Sequence, residues 1–285
     1  MQEGNLEHWF AEMRPRLHSF CGRMMGSAID GEDIVQEALT RAAQSYAASS
    51  PIAQPEAWLL RIARNAAIDV LRRRGGGETL MHDEQEQEPD PDADSAARAK
   101  VTLGFTAFLP LPPPQRASVV LVDVLGYSLA ETASILETSV AAIKATLHRG
   151  RARLAATAAE MPAGRAPDER ERLRLRAYAD LFNARQFDAL RDLLAADVRL
   201  ALPPDIRREG KGDVSIYFER YQTAKTQWHV EPVLADGRPA LLAADPADAA
   251  NRFVVLLDWS DGRIITIRDF IYARYVMDGI DIARI

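Results

Sequence analysis

The chain has 285 residues, 47% hydrophobic and 27% charged, with 41 acidic against 35 basic side chains and a formal net charge of −6. Its length fits two or three modest domains, and its composition is that of an ordinary water-soluble globular protein without a generally sticky basic surface, so nucleic-acid contact has to come from local patches. One cysteine, Cys21, excludes an internal disulfide, and the absence of a signal-length or membrane-length apolar run makes a reducing cytoplasm the expected location, with no membrane partner.

Residues 1–74 are helical in pattern and end in the basic run Leu71–Arg74. In "EAWLLRIARNAAIDVLRRR", Leu59, Ile62, Ala66 and Val70 share one helical face and are expected in the core. Arg61, Asn65, Ile68 and Arg72 recur at i, i+4, i+7 and i+11 on another face. A polar, cationic stripe of this kind suits single-stranded DNA, whose phosphates attract cations and whose bases stack on flat groups. Trp58, at the edge of the stripe, is expected in the core, and Arg72 and Arg73 at the helix end are expected on phosphate. Next comes "GGGETLMHDEQEQEPDPDADSA", with eight acids between Glu78 and Asp94 and no Lys or Arg among them. Glycine, proline and like charge mark residues 77–97 as a solvated linker.

Helical periodicity resumes near Lys100 and runs to about Glu160, interrupted by "LPLPPPQ", whose prolines are barred from helix interiors but suit a helix entry. In "GYSLAETASILETSVAAIKATLHRGRARL", Leu129, Ala133 and Leu136 lie at helical spacing. A break follows at Glu137-Thr138, and Ser139 is a good N-cap for the next helix. There Val140, Ile143, Leu147 and Leu154 share the inner face, while Ala141, Ala142, Ala145, Arg149 and Arg153 lie opposite. After Glu137 the stretch holds Lys144, Arg149, Arg151 and Arg153 and no acid. Small side chains let a helix approach base edges, and the later cations are placed for phosphates, as in a helix-turn-helix.

After "MPAGRAPDE" the character changes. "RLRLRAYADLFNARQFDALRDLL" reads as two amphipathic helices, "DVRLALPP" as a strand and "GDVSIYFERYQ" as a helix. Asp236-Gly237 and Asp261-Gly262, each between apolar β-branched runs, read as hairpin turns. Residues 168–285 are therefore expected to form an α+β domain, an antiparallel sheet covered by helices. If its interior held chemistry, the candidates would be Asp258, Asp269, His229 and Tyr272, yet no pair of them has an acid–base spacing. The five histidines are scattered, the lone cysteine excludes a cysteine zinc site, and "RRGGGE" follows a basic helix end rather than a strand. No metal, no cofactor and no enzymatic activity is expected.

These stretches resemble a known family. "LPPPQRASVVLVDVLGYSLAETASILETSVAAIKATLHRGRARL" is similar to region 4 of bacterial extracytoplasmic-function (ECF) sigma factors, "IDGEDIVQEALTRAAQSY" to region 2.2, and "EAWLLRIARNAAIDVLRRR" to regions 2.3 and 2.4. The resemblance covers about residues 5–158. It implies that Asp33, Gln36 and Glu37 contact core RNA polymerase. It also implies that Arg61, Asn65, Arg72 and Arg73 meet a −10 promoter element. Ser139, Ala141, Ala142, Lys144, Ala145, Arg149 and Arg153 would meet a −35 element. The remaining residues resemble a SnoaL-like cone-shaped domain, fused in some sigma factors as a regulator in cis, with "DGRPALLA" and "DGRIITIRDFI" carrying the likeness. The Asn-Pro-Asp-Lys-Leu sequence of some members is absent. The expected architecture is multidomain: an all-α sigma region 2 at 1–76, the linker 77–97, an all-α region 4 at 98–160, and the α+β domain at 168–285. The expected partners are core RNA polymerase, promoter DNA, and an anti-sigma protein or small ligand of the C-terminal domain. The competing reading is a ligand-responsive helix-turn-helix regulator that binds duplex DNA without being a polymerase subunit.

Overall fold

Three helices open the chain, α1 (Glu3–Met25), α2 (Ala28–Tyr46) and α3 (Pro55–Arg74), in a computed structural model that describes residues 3–46, 52–74, 104–157, 168–204 and 206–285. The expected acidic linker lies outside those residues. α1 and α2 approach at backbone distance, because a Cβ on Gly31 would stand 2.5 Å from the Gly22 Cα. Gly26, between the two helices, has φ +70°, a left-handed conformation that glycine adopts without the steric cost of a side chain. Leu59 and Ala66 of α3 are buried, and Ile62, Val70 and Trp58 pack half-buried at the core edge.

A short 3-10 turn, Phe105–Phe108, precedes α4 (Pro113–Val119), which starts on proline where the missing N–H would have no helical partner anyway. α4 runs into a π-helical turn, Val120–Val124, and is followed by α5 (Leu129–Leu136) and α6 (Val140–Thr157). Arg116 ties this half to α1. Buried, it donates to the Met24 carbonyl and, at 2.9 Å each, to the carbonyls of Leu109 and Leu111. Burial alone lowers its pKa to about 10. A capping box of Ser128 and Glu131 starts α5, Glu137 closes it in the left-handed region (φ 55°), and the Ser139 hydroxyl caps α6 by accepting from the Ala142 N–H at 3.1 Å. Ile143, Leu147 and Leu154 face inward as expected, but Val140 is 39% exposed. It stands on the first turn of α6, beyond the reach of the core that the next turn enters. All six helices share one apolar core within a compact unit ending at residue 162.

The second unit contains α7 (Glu169–Asn183), α8 (Phe187–Asp192) and α9 (Lys211–Thr223) with a seven-stranded sheet. Its strands are β1 (Leu194–Leu202), β2 (Ile206–Glu209), β3 (His229–Ala235), β4 (Arg238–Asp245), β5 (Asp248–Ser260), β6 (Arg263–Asp269) and β7 (Ile282–Arg284), in the order β2-β1-β6-β5-β4-β3-β7. Asp236-Gly237 and Asp261-Gly262 turn β3 into β4 and β5 into β6, all four residues with positive φ, as two-residue hairpins require. The expectation of an antiparallel sheet needs correction, because β1 lies parallel to β6 and the sheet is mixed. Hairpin turns announce only antiparallel neighbours, whereas a parallel pair needs a long connection with no local signature. Leu175, Tyr178, Phe182, Phe187, Val214 and Phe218 supply the helical side of the core.

Candidate nucleic-acid interface

α6 presents two unlike faces. Ala141, Ala142, Lys144, Ala145 and Arg153 are exposed, Ser139 stands exposed at its head, and Arg149 is half-buried with its Nε enclosed and unpartnered. Arg151 turns the other way. Its Nη2 and Nε donate to the Asp123 carboxylate at 2.7 and 3.0 Å, and both side chains are largely buried. This fork-to-fork pair fixes α6 against the π turn. Gly150 allows close approach there, since a Cβ would meet Val119 Cγ2 at 2.7 Å. The basic run therefore divides: one arginine is a structural anchor, and the small residues with Lys144, Arg149 and Arg153 form the outward face.

On α3, Asn65, Arg72 and Arg73 are exposed, with the Arg73 Nε donating to the Asp69 carbonyl at 3.2 Å. Arg74 instead pairs with Asp30 at 2.7 Å, which raises the pKa of its guanidinium. Arg61 is not turned to solvent alone. Its Nη1 donates to Glu137 at 3.0 Å and its Nη2 to the Ser134 carbonyl at 3.3 Å, both at the end of α5. The same seam joins the Ser134 hydroxyl to Gln54 at 3.1 Å and the Tyr127 hydroxyl to the Glu56 carboxylate. Arg16 reaches Glu56 at 3.4 Å and the Leu125 carbonyl at 3.1 Å, its guanidinium 4.7 Å from the Tyr127 ring centre. Between α3 and α5 lies a cavity of about 380 Å³ lined by Gln54, Glu56, Tyr127, Glu131 and Ser134 among others. Sequence reasoning picked Arg61 and missed Glu137, Ser134 and Gln54, which carry no spacing signal of their own.

On α2, Asp33 and Glu37 are exposed and Gln36 is half-buried. The Gln36 amide donates at 2.9 Å to Glu32, a fully buried carboxylate that also receives Arg14 at 3.4 Å, and Glu37 pairs with Arg41 at 2.7 Å. The face is polar and ordered from beneath.

In the second unit, Asp258 and His229 are exposed and Tyr272 is 49% exposed under the Arg220 guanidinium. Of the four candidates Asp269 alone is interior, with no exposed surface. It accepts from the Tyr217 hydroxyl at 2.8 Å, from the Tyr221 hydroxyl and from the Ile271 N–H at 2.8 Å. Burial raises its pKa, against the lowering effect of these donors. Tyr217 and Tyr221 stand one turn apart on α9, a spacing that signals a shared face but not the carboxylate waiting opposite. Among the described residues no His, Cys, Asp and Glu cluster could hold a metal ion, and no helix is long and apolar enough to cross a membrane.

Residues 9–76 match the Sigma-70 region 2 family, residues 107–154 the Sigma-70 region 4 family and residues 175–267 the SnoaL-like domain family. The ECF RNA polymerase sigma factor SigG of Mycobacterium tuberculosis is 34% identical over 220 residues, 67% of this chain and 59% of that protein. The chain thus spans under two thirds of SigG. The ECF RNA polymerase sigma factor SigM of the same organism is 31% identical over 146 residues, 51% of this chain and 73% of that protein. The crystal structure of M. tuberculosis ECF sigma factor SigJ aligns over 93% of this chain and 95% of its own, at 23% identity and a TM-score of 0.36.

Proposed function

The chain belongs to the ECF RNA polymerase sigma factors, and from that premise we propose that it binds core RNA polymerase and directs it to promoters. The observation that carries the reading is the presence of two distinct DNA-suited surfaces in one chain. One is the small-residue and cationic face of α6; the other is the polar, cationic stripe of α3. A regulator of duplex DNA needs only the first.

In this reading residues 1–76 dock on polymerase through Asp33, Gln36 and Glu37 and hold the −10 element. Arg61, Arg72 and Arg73 track phosphates there and Asn65 reaches an unstacked base. Residues 98–160 read the −35 element. Ser139, Ala141, Ala142 and Ala145 admit the helix to the major groove, and Lys144, Arg149 and Arg153 neutralise backbone. Residues 77–97 connect the two. Polymerase performs the chemistry, and the sigma factor supplies recognition and strand opening in the cytoplasm. Unstacking a base costs a few kcal/mol and is offset by contacts to the captured strand.

The SnoaL-like domain, residues 168–285, regulates in cis. Its interior carboxylate is spent on two phenols and a backbone amide, an arrangement that holds α9 to the end of β6 rather than meeting a substrate. An anti-sigma protein or a small ligand would act through this domain or beside it.

The test is binding with and without polymerase. A sigma factor co-migrates with core polymerase and selects promoter fragments only as part of that complex. Tight, sequence-selective binding of duplex DNA by the chain alone, with no association with core polymerase, would favour the ligand-responsive regulator.

A further inference from the structure

We infer that Glu32 is a positioning residue for polymerase docking: from inside α2 it fixes which end of the Gln36 amide is turned to the partner. The inference rests on the sigma reading above and deepens it, adding a residue that no spacing argument selects.

Burial makes the case first. Glu32 has no exposed surface, yet it stands on α2 one turn before Gln36, a member of the proposed docking face. Residues four apart on a helix are neighbours. Farther along α2 the buried residues Ile34, Val35, Ala38 and Leu39 are apolar, the ordinary occupants of such places. A carboxylate taken out of water is costly unless cations and donors meet it. Here the Arg14 guanidinium of α1 reaches Oε1 at 3.4 Å, and the Gln36 Nε2 donates to the same oxygen at 2.9 Å. A buried ion pair is a poor source of stability, and its best-attested use is to fix one arrangement among several.

The inventory of donors and acceptors says which arrangement. A carboxylate only accepts, whereas a glutamine amide has two donors at one end and an acceptor at the other. The end of Gln36 that meets Glu32 is therefore the nitrogen, and the carbonyl Oε1 is turned away from the interior. Its two lone pairs can take more than one donor. Gln36 is half-buried, while Asp33 and Glu37 on the same face are exposed. Polymerase thus meets three acceptors, two carboxylates and one oriented carbonyl, and the match is to a donor-rich partner surface. An amide tethered beforehand also loses less conformational freedom on docking.

The experiment measures affinity of the full chain for purified core polymerase, with thermal melts to follow folding. Glu32→Gln keeps the size of the side chain and an oxygen for Arg14. It donates as well as accepts, so it no longer dictates the orientation of Gln36. Its affinity should fall about three- to ten-fold, the worth of one hydrogen bond. Gln36→Glu sets two carboxylates against each other and should lose about ten-fold or more. The swapped pair, Glu32→Gln with Gln36→Glu, again faces one amide nitrogen with one carboxylate and keeps an acceptor outward. Its affinity should return to within about two-fold of the unaltered chain, a non-additivity that only a direct coupling produces. A Glu32 that merely holds the helices together gives losses that add in the double variant, and additive losses overturn the inference. Unchanged affinity of Glu32→Gln overturns it too, as does loss of the folded state in that variant. An unaltered chain with no affinity for core polymerase defeats the sigma reading itself, and the inference falls with it.

Discussion

Glu137 in the α3–α5 seam accepts from one guanidinium, whereas Asp269 in the C-terminal core accepts from two phenols and a backbone amide, and their surroundings differ as sharply as their partners. The Glu137 side chain is 56% exposed and its partner Arg61 34%, so water competes for every bond. Asp269 is sealed, and its two phenols are sealed with it. An exposed pair contributes little stability and exchanges partners readily, whereas a buried one is costly to break. The Glu137–Arg61 pair therefore adds little to the fold, and the Asp269 knot adds much.

Asp269→Ala should have the largest effect. It strands two buried phenols and a backbone amide, and should cost about 3–5 kcal/mol. Calorimetry on the full chain should show the loss in one transition only, and a loss below about 1 kcal/mol would make the buried knot no stronger than a surface pair.

Acid separates the units by sign. His18, buried with its Nε2–H donating to the Ala28 carbonyl at 2.8 Å, has its pKa pushed down to about 4, mainly by burial. The unfolded chain then binds the extra proton, so the first unit should lose stability as pH falls from about 6.5 to 4, by about 3 kcal/mol in all. Asp269 runs the other way. Its raised folded pKa makes its contribution complete below the ordinary carboxylate value of about 3.9 and lost as pH rises above it. Melting profiles against pH should show opposite slopes for the two units, with His18→Gln flattening the first and Asp269→Asn the second.

Asp123→Ala should cost about 2 kcal/mol by leaving Arg151 largely buried without its carboxylate. If α6 reads promoter DNA as proposed, loosening it should also weaken binding of promoter fragments by the polymerase complex. The smallest effect belongs to the seam. Glu137→Gln should shift stability by no more than about 0.5 kcal/mol in thermal melts.

How much of this was readable beforehand follows the range of the interactions. Ile143, Leu147 and Leu154 showed their inward face because helical periodicity is local, and Asp236-Gly237 and Asp261-Gly262 showed their turns because left-handed backbone selects those residues. Arg151 looked like its basic neighbours because its partner, Asp123, lies a full helix upstream. The α3 stripe was legible from spacing, but nothing around Arg61 announces that Glu137 folds back onto it. Tyr217 and Tyr221 were legible as one face of α9; their convergence on Asp269 depends on the register of β6 in a sheet whose parallel pair leaves no local trace.

The most direct measurement is run-off transcription by purified core polymerase on a library of genomic fragments, with and without the full chain. Discrete promoter-specific transcripts that appear only with the chain, and that fade when Arg149 and Arg153 are replaced by alanine, are the predicted result. Transcription unchanged by the chain, together with no association with core polymerase, would contradict the account.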